Sequence, residues 1–375
     1  MNTLSGIGTG FVGIFIPIYL LELNYSFFTV VAWLAIHHLS LMGGAFLAVR
    51  VSNIIGLVRC WYVRILLVAV LFGGLVLLPE YSSLLFFLAL ISGTEAAFFW
   101  IPYNILTVRK TEAATMGSSL AFMSNVGSIF GMAVPIIAAV LIVSYGYAFL
   151  FAIALMFILV SIISVLPLRS EKTDFQFKAQ EIAKVVRVNR HFIIPEIIDN
   201  LGQDAQVIWI LFIFITALSV VDIGILGVFV GIVGLAITHI TGALIDTWDK
   251  KTVVRLGAAG TTVMWIASYL VAIWAPTPLL LYLVTVLRGF ILGIFVAAYG
   301  AIMFNRARGA DAQFLVLREV PTILGRIILF GTTLVLISIG QFELIFLVVA
   351  IISIYFWFNN LDSLTKQLPP ETHWF

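Results

Sequence analysis

Twelve apolar stretches, most of them 20 residues or longer, run through this chain of 375 residues, and no shorter motif restricts its folding as strongly. The first six lie at 4–23, 27–49, 64–79, 82–107, 116–143 and 146–168. A charged connector, 169–191, leads to the second six at 192–218, 222–245, 253–275, 278–305, 314–337 and 342–361. A helix needs about 20 apolar residues to cross the hydrocarbon of a bilayer. In lipid, each backbone polar group must be satisfied within the protein, which favours helices. The expectation is an all-α polytopic membrane protein with twelve transmembrane helices. Composition agrees: 62% of residues are hydrophobic and 10% are charged, where a soluble protein carries about 25% charged residues. A net charge of +2 implies no nucleic-acid partner. The lone cysteine, Cys60, cannot form an internal disulfide and has no metal-ligand spacing around it. The first ten residues have neither a basic n-region nor a small-residue cleavage site, so no signal peptide is expected.

Among the loops, lysine and arginine are confined to alternate ones. One set holds Arg50, Arg59, Arg64, Arg109, Lys110, Lys250, Lys251, Arg255, Arg306 and Arg308, joined by the connector and by Lys366 in the tail, 363–375. The loops around Glu22, Glu80, Tyr145, Asp222, Pro276 and Gln341 contain neither residue. Basic loops stay in the cytoplasm, so both termini are expected there, in a multi-pass protein of the cytoplasmic membrane. Within the connector, Phe175, Ala179, Ile182, Val185 and Val186 recur at helical spacing among Lys178, Lys184, Arg187 and Arg190. That pattern fits an amphipathic helix on the inner leaflet or a solvated linker with some helix.

The two halves, 1–168 and 192–362, echo one another. SGTEAAFFWIPYN in the fourth span and RGFILGIFVAAYG in the tenth align Gly93 with Gly289, Phe99 with Phe295 and Tyr103 with Tyr299, each pair 196 residues apart. SIFG at 128–131 and TILG at 322–325 repeat the echo in the fifth and eleventh spans. A duplicated six-helix unit, giving two pseudo-symmetric bundles, is the expected organisation.

Between the eighth and ninth spans lies GALIDTWDKKTVVRL. Its Gly242, Asp246, Asp249, Lys250, Lys251 and Arg255 resemble the loop signature Gly-x-Leu-x-Asp-x-x-Gly-Arg-Lys/Arg of the major facilitator superfamily, with Asp249 in place of the second glycine. The 6+6 topology, the charge bias and the basic central loop extend the resemblance over the whole chain. It implies a secondary transporter in which this loop is a latch between outward- and inward-open states. A small residue such as Gly242 lets helices approach closely, and a carboxylate such as Asp246 accepts hydrogen bonds from a neighbouring helix terminus. The corresponding first-half loop, Arg50 to Arg59, lacks the aspartate, so Ser52 or Asn53 stands where it would act.

Ionisable groups inside a membrane are costly and are therefore functional candidates. They occur here as His37 and His38 in the second span, Glu95 in the fourth, Asp199 and Asp204 in the seventh and His239 in the eighth. Arg288 lies in the tenth span, and Arg318, Glu319 and Arg326 lie in the eleventh. Away from their ends the third, sixth, ninth and twelfth spans have none, and in the superfamily fold those four are peripheral. Glu196, Asp199, Asn200, Gln203, Asp204 and Gln206 share an arc of roughly 160° at about 100° per residue. Asp204, Arg288, Glu95, Asp199, Glu319 and Arg326 are the expected proton-coupling groups, with Arg288 expected to pair with Asp204 or Glu95. Of the adjacent histidines, about 100° apart, one is expected to reach the cavity, with His37 the chosen candidate. Gln203, Gln206, Asn200, Trp100, Tyr103, Phe295 and Tyr299 are the expected substrate lining, although each aromatic equally suits helix packing.

GSIFGMAVPIIAA in the fifth span fits loosely the glycine-proline motif of drug/proton antiporters in the superfamily, through Gly127, Gly131 and Pro135. The combined expectation is a monomeric transporter in a lipid bilayer that exports a small organic molecule in exchange for protons, without cofactor or metal. Uptake of a sugar or organic acid, and lipid flipping, use the same architecture and stay open. No HExxH, GxSxG or cysteine nucleophile argues for an enzyme.

Overall fold

The computed structural model describes residues 2–110, 132–167, 169–175, 178–247, 250–307 and 311–358, excepting the side chains of 2–3, 110, 181, 238–247, 250, 297, 301, 303–307 and 311–313. In chain order the α-helices are α1 (Asn2–Val12), α2 (Phe15–Glu22), α3 (Phe27–Ile55), α4 (Leu57–Leu77), α5 (Leu85–Lys110), α6 (Val134–Tyr145) and α7 (Tyr147–Ser161). The second half contributes α8 (Ala179–Thr216), α9 (Val220–Thr247), α10 (Lys250–Trp274), α11 (Pro278–Ala307), α12 (Asp311–Ser338), α13 (Leu344–Ser353) and α14 (Tyr355–Phe358). Ten segments among the described residues are long and apolar enough to cross a membrane, and Val134–Tyr145 and Leu344–Phe358 are shorter apolar helices. Together they occupy the places of the twelve spans. The start of the fifth span, with Gly127 and Gly131, lies outside the described residues.

Local chemistry sets the helix ends. The first span divides into α1 and α2 because Pro17 has no N–H to donate to the Gly13 carbonyl one turn back. Ser26 caps α3, its hydroxyl accepting from Thr29 N–H at 3.1 Å. Gly56 joins α3 to α4 at φ +91, a left-handed conformation that a Cβ would strain.

The connector is held to the first half. Glu171 C=O accepts from Leu57 N–H at 2.8 Å, Arg109 donates to Lys172 C=O at 3.1 Å, and Asn53 Nδ2 donates to Phe175 C=O at 3.2 Å. Thr173 donates to Asn53 Oδ1 and shares a 2.7 Å hydrogen bond with Ser52. From Ala179 onward the connector is helical and continuous with the seventh span, so α8 is 38 residues long. At about 1.5 Å per residue that is roughly 57 Å, nearly twice the hydrocarbon thickness. Its first three turns extend that span rather than form a separate surface helix.

Equivalent helices of the two halves pack alike: α3 and α4 lie against α5, while α9 and α10 lie against α11. Gly93 faces the α3 backbone, and Gly289 faces Val230 on α9. Phe99 and Tyr103 stack at 5.6 Å and 7°, and Phe295 and Tyr299 stack at 5.7 Å and 6°. Between the halves, α3 lies along α12, and α6 lies along α9. Phe27 meets Phe342 edge-on at 4.8 Å at the arginine-free end. Methyl groups built on Gly224 and Gly231 would lie 2.7 Å from Ala139 Cβ and 2.8 Å from Met132 Cγ, so small residues allow the α6–α9 approach.

The Gly93 contact yields a stability prediction. A Cβ there would collide with the His37 carbonyl and lie 2.7 Å from Leu41 N, whereas one on Gly43 would meet nothing within 4 Å. Gly93→Ala is expected to cost about 1–3 kcal/mol through overpacking, read as a lower unfolding temperature in detergent. Gly43→Ala is the control and is expected to be neutral or stabilising.

Candidate functional site

The polar stripe on α8 divides in two. Glu196, Asn200 and Asp204, four residues apart, face α12 and α3. Asp199 and Gln203, also four apart, face the interior of the second half, where Gln203 donates to Asp199 Oδ2 at 2.8 Å. Gln206 is half-buried and makes no hydrogen bond among the described residues.

Asp204 connects the halves. Its Oδ2 lies 3.1 Å from His38 Nε2 on α3 and 3.1 Å from Arg326 Nε on α12. Neither contact has the angles of a hydrogen bond, so Arg326 and Asp204 form an ion pair held by charge and His38 adjoins it. Arg326 also approaches His38 Nδ1 at 3.4 Å and donates to Asn200 Oδ1 at 3.3 Å. With Nδ1 facing a donor and Nε2 facing a carboxylate, His38 suits the neutral tautomer protonated at Nε2. Its ring stacks on Phe330 at 5.2 Å and 13°. Side-chain exposures of 10%, 15% and 21% for His38, Asp204 and Arg326 leave the cluster within reach of water. Just toward the basic end, Leu41 and Ala97 pack on Ile323 between the halves.

His38 corrects the choice of His37. The two rings are perpendicular, and His37 turns into its own half, bonded to Ser92 at 2.9 Å and stacked on Trp33. Helical spacing separates adjacent residues but does not say which one faces the partner.

Glu196 is the second hub. It is 0% exposed. Its Oε1 accepts from Arg318 Nε at 2.8 Å, Thr322 at 3.0 Å and Asn200 at 3.0 Å, while Arg318 Nη2 lies 2.7 Å away. Tyr299 donates to Oε2 at 3.4 Å. The Glu196–Arg318 pair borders a cavity of about 330 Å³ walled by α8, α12 and Phe46 of α3, with Val185, Phe192, Phe314 and Leu317 among its apolar faces. That volume is in the range of small-molecule pockets, which are mostly apolar with a few placed polar groups. Glu319 is buried and makes no hydrogen bond or ion pair among the described residues.

Arg288 contradicts its expected pairing with Asp204 or Glu95. It is 1% exposed, donates to Ser268 at 3.0 Å, and lies over Trp265 at 4.1 Å and Trp209 at 4.8 Å. Two indole faces and a hydroxyl take the place of a carboxylate, an arrangement that cation–π attraction supports in a desolvated site. Glu95 instead pairs with Arg64 of α4 at 2.9 Å, and Arg64 also donates to Ser5 at 2.5 Å and covers Phe99 at 4.3 Å. Arg64 reads as a loop residue at the edge of the third span, but α4 begins at Leu57 and buries it to 3% exposure. The third span therefore does carry an internal charge.

The expected aromatic lining separates into two settings. Trp100 is 46% exposed, and Tyr103 stacks beside it on Phe99. Phe295 and Tyr299 are buried against Phe356 as core. In the loop resembling the superfamily signature, the side chains of Gly242, Asp246, Asp249 and Lys250 lie outside the described residues, while Lys251 is half-exposed and Arg255 exposed on the first turns of α10.

No family model and no curated protein matches the chain. Solved structures do. A D-xylose–proton symporter superimposes with a TM-score of 0.72 at 12% identity over 98% of both chains. The E. coli fucose:proton symporter FucP gives 0.67 at 12% identity, over 95% of this chain and 94% of that one. The nucleoside transporter NupG gives 0.65 at 16% identity over 98% of both, and FucP is described as a major facilitator superfamily transporter. This chain has the major facilitator fold. The α3–α12 and α6–α9 pairs make the most extensive contacts between the halves, and the His38–Asp204–Arg326 cluster lies on that seam.

Proposed function

We propose that this chain is a secondary transporter that moves a small amphipathic organic molecule across the membrane with protons, by alternating access. The carrying observation is the His38–Asp204–Arg326 cluster, in which the Asp204–Arg326 ion pair of α8 and α12 in one half meets the His38 imidazole of α3 in the other. Protonating Asp204 removes the charge that holds Arg326 and His38, weakening the seam, and deprotonation restores it. A ligand or proton shifts such an equilibrium only through its different affinity for the two states. The division at the 169–191 connector then separates two bodies that rock as units, with the basic loops and both termini on the cytoplasmic side.

The cavity beside Glu196 and Arg318 supports an amphipathic cargo. Its walls are apolar and its charged groups already pair, whereas a sugar needs a hydrogen-bond partner for each hydroxyl. Two structural neighbours are named as proton symporters, which supports uptake with protons over the export read from the fifth span.

The test is proton movement into purified proteoliposomes challenged with lipophilic cations and anions, sugars, nucleosides and lipids. Proton uptake triggered by an amphipathic compound is the expected result. Triggering only by sugars or nucleosides would replace the cargo class, and cargo movement without protons would leave a facilitator. Arg318→Ala is expected to weaken the amphipathic compound's half-saturation on the order of tenfold, the equivalent of about 1.4 kcal/mol, with a smaller change in maximal rate.

A further inference from the structure

We infer that Asp199 anchors a monovalent cation site inside the second half, separate from the seam between the halves. Asp199 is 4% exposed, and its Oδ1 has no hydrogen-bond partner. It lines a cavity of about 20 Å³ together with Gly202 of α8, Thr261 of α10, Phe295 of α11, Ser353 of α13 and Phe356 of α14. About 10–15 Å³ is enough for one water, so the cavity has room for one small ion or water.

The polar groups around it accept and do not donate. Thr261 gives its hydroxyl proton to Gly257 C=O at 2.8 Å, and Ser353 gives its own to Val349 C=O at 2.8 Å. Gln203 gives its amide to Asp199 Oδ2, the other carboxylate oxygen. What remains is a carboxylate oxygen and the lone pairs of two hydroxyls, with no other titratable side chain in the lining. A buried charge without a partner is strongly unfavourable. An oxygen-only, acceptor-only site matches a hard cation, and one carboxylate balances a single positive charge. Asp199 is the one carboxylate in the lining, which argues against a divalent ion.

The site is independent of the coupling proposed for Asp204: α8 presents the two aspartates to different neighbours, and each can fail alone. Sodium is the probe. The purified protein in detergent is titrated with NaCl against choline chloride at constant ionic strength, and its unfolding temperature is read. A sodium-specific rise of several degrees is expected, because a ligand that binds only the folded state stabilises it. Asp199→Asn is expected to abolish the rise and to be as stable in choline as the parent protein is in sodium. Thr261→Val, which keeps the shape but loses an oxygen, is expected to require about tenfold more sodium. If Asp199→Asn does not fold, the Thr261→Val titration decides. No difference between sodium and choline in the parent protein would overturn the site, and so would an undiminished sodium effect in Thr261→Val or Asp199→Asn. A stability profile that follows pH alone would mean that a proton neutralises Asp199, and would overturn the cation site as well.

Discussion

Asp204→Asn is expected to stop cargo-driven proton movement while cargo exchange across the membrane continues. The substitution nearly preserves shape, so the new side-chain amide still offers an oxygen to His38 or Arg326 but can no longer change charge. Arg326 keeps its hydrogen bond to Asn200, which limits the structural damage. Coupling energies between sites are typically 1–3 kcal/mol, or about 5- to 150-fold, and the loss of proton flux should fall in that range or beyond. Exchange of labelled for unlabelled cargo needs no net proton transfer and should persist. A pH-sensitive dye trapped in proteoliposomes reads the first quantity and isotope counterflow reads the second. Wild-type proton flux in Asp204→Asn would remove Asp204 from the coupling path. Loss of both activities in a well-folded protein would make it a structural pair.

Arg64→Ala is expected to produce a large loss of stability. It removes the guanidinium that meets Glu95 at 2.9 Å and Ser5 at 2.5 Å and that covers Phe99. Glu95, 13% exposed, would be left as an uncompensated carboxylate among helices. Breaking a buried pair from one side costs about 3–5 kcal/mol, whereas replacing both partners with apolar residues of similar volume is often neutral or stabilising. The double variant Arg64→Met/Glu95→Leu should therefore recover most of the unfolding temperature lost in Arg64→Ala. If the double variant is no more stable than the single one, the damage comes from lost packing on Phe99 rather than from the unpaired charge. Transport in a stable double variant would further separate this pair from the coupling cluster.

The contrast between the two clusters follows from where their helices lie. Arg64 and Glu95 sit on neighbouring helices of one half, so rocking the halves does not stretch their bond. His38, Asp204 and Arg326 come from both halves, so any relative motion must break or re-form that contact.

Amino-acid order alone determined the helical class, the number of spans and the duplication, because each follows from chemistry that is local along the chain. An apolar stretch long enough to cross a bilayer is visible without its neighbours, and the 196-residue echo reappears as two aromatic stacks at 7° and 6°. The polar stripe of the seventh span was also legible, since helical periodicity places its members on one arc. Partner choice was not. Two hydrogen-bonding side chains about 100° apart, such as His37 and His38, differ only in which helix each meets. Arg288 was misassigned because two buried tryptophans, from α8 and α10, provide an alternative to a carboxylate that no spacing reveals. Arg64 looked like a loop charge until the start of α4 placed it within a bundle. Which charges meet, and whether they meet within a half or across the seam, is decided by the packing of helices far apart in the chain, and only the tertiary structure contains that information.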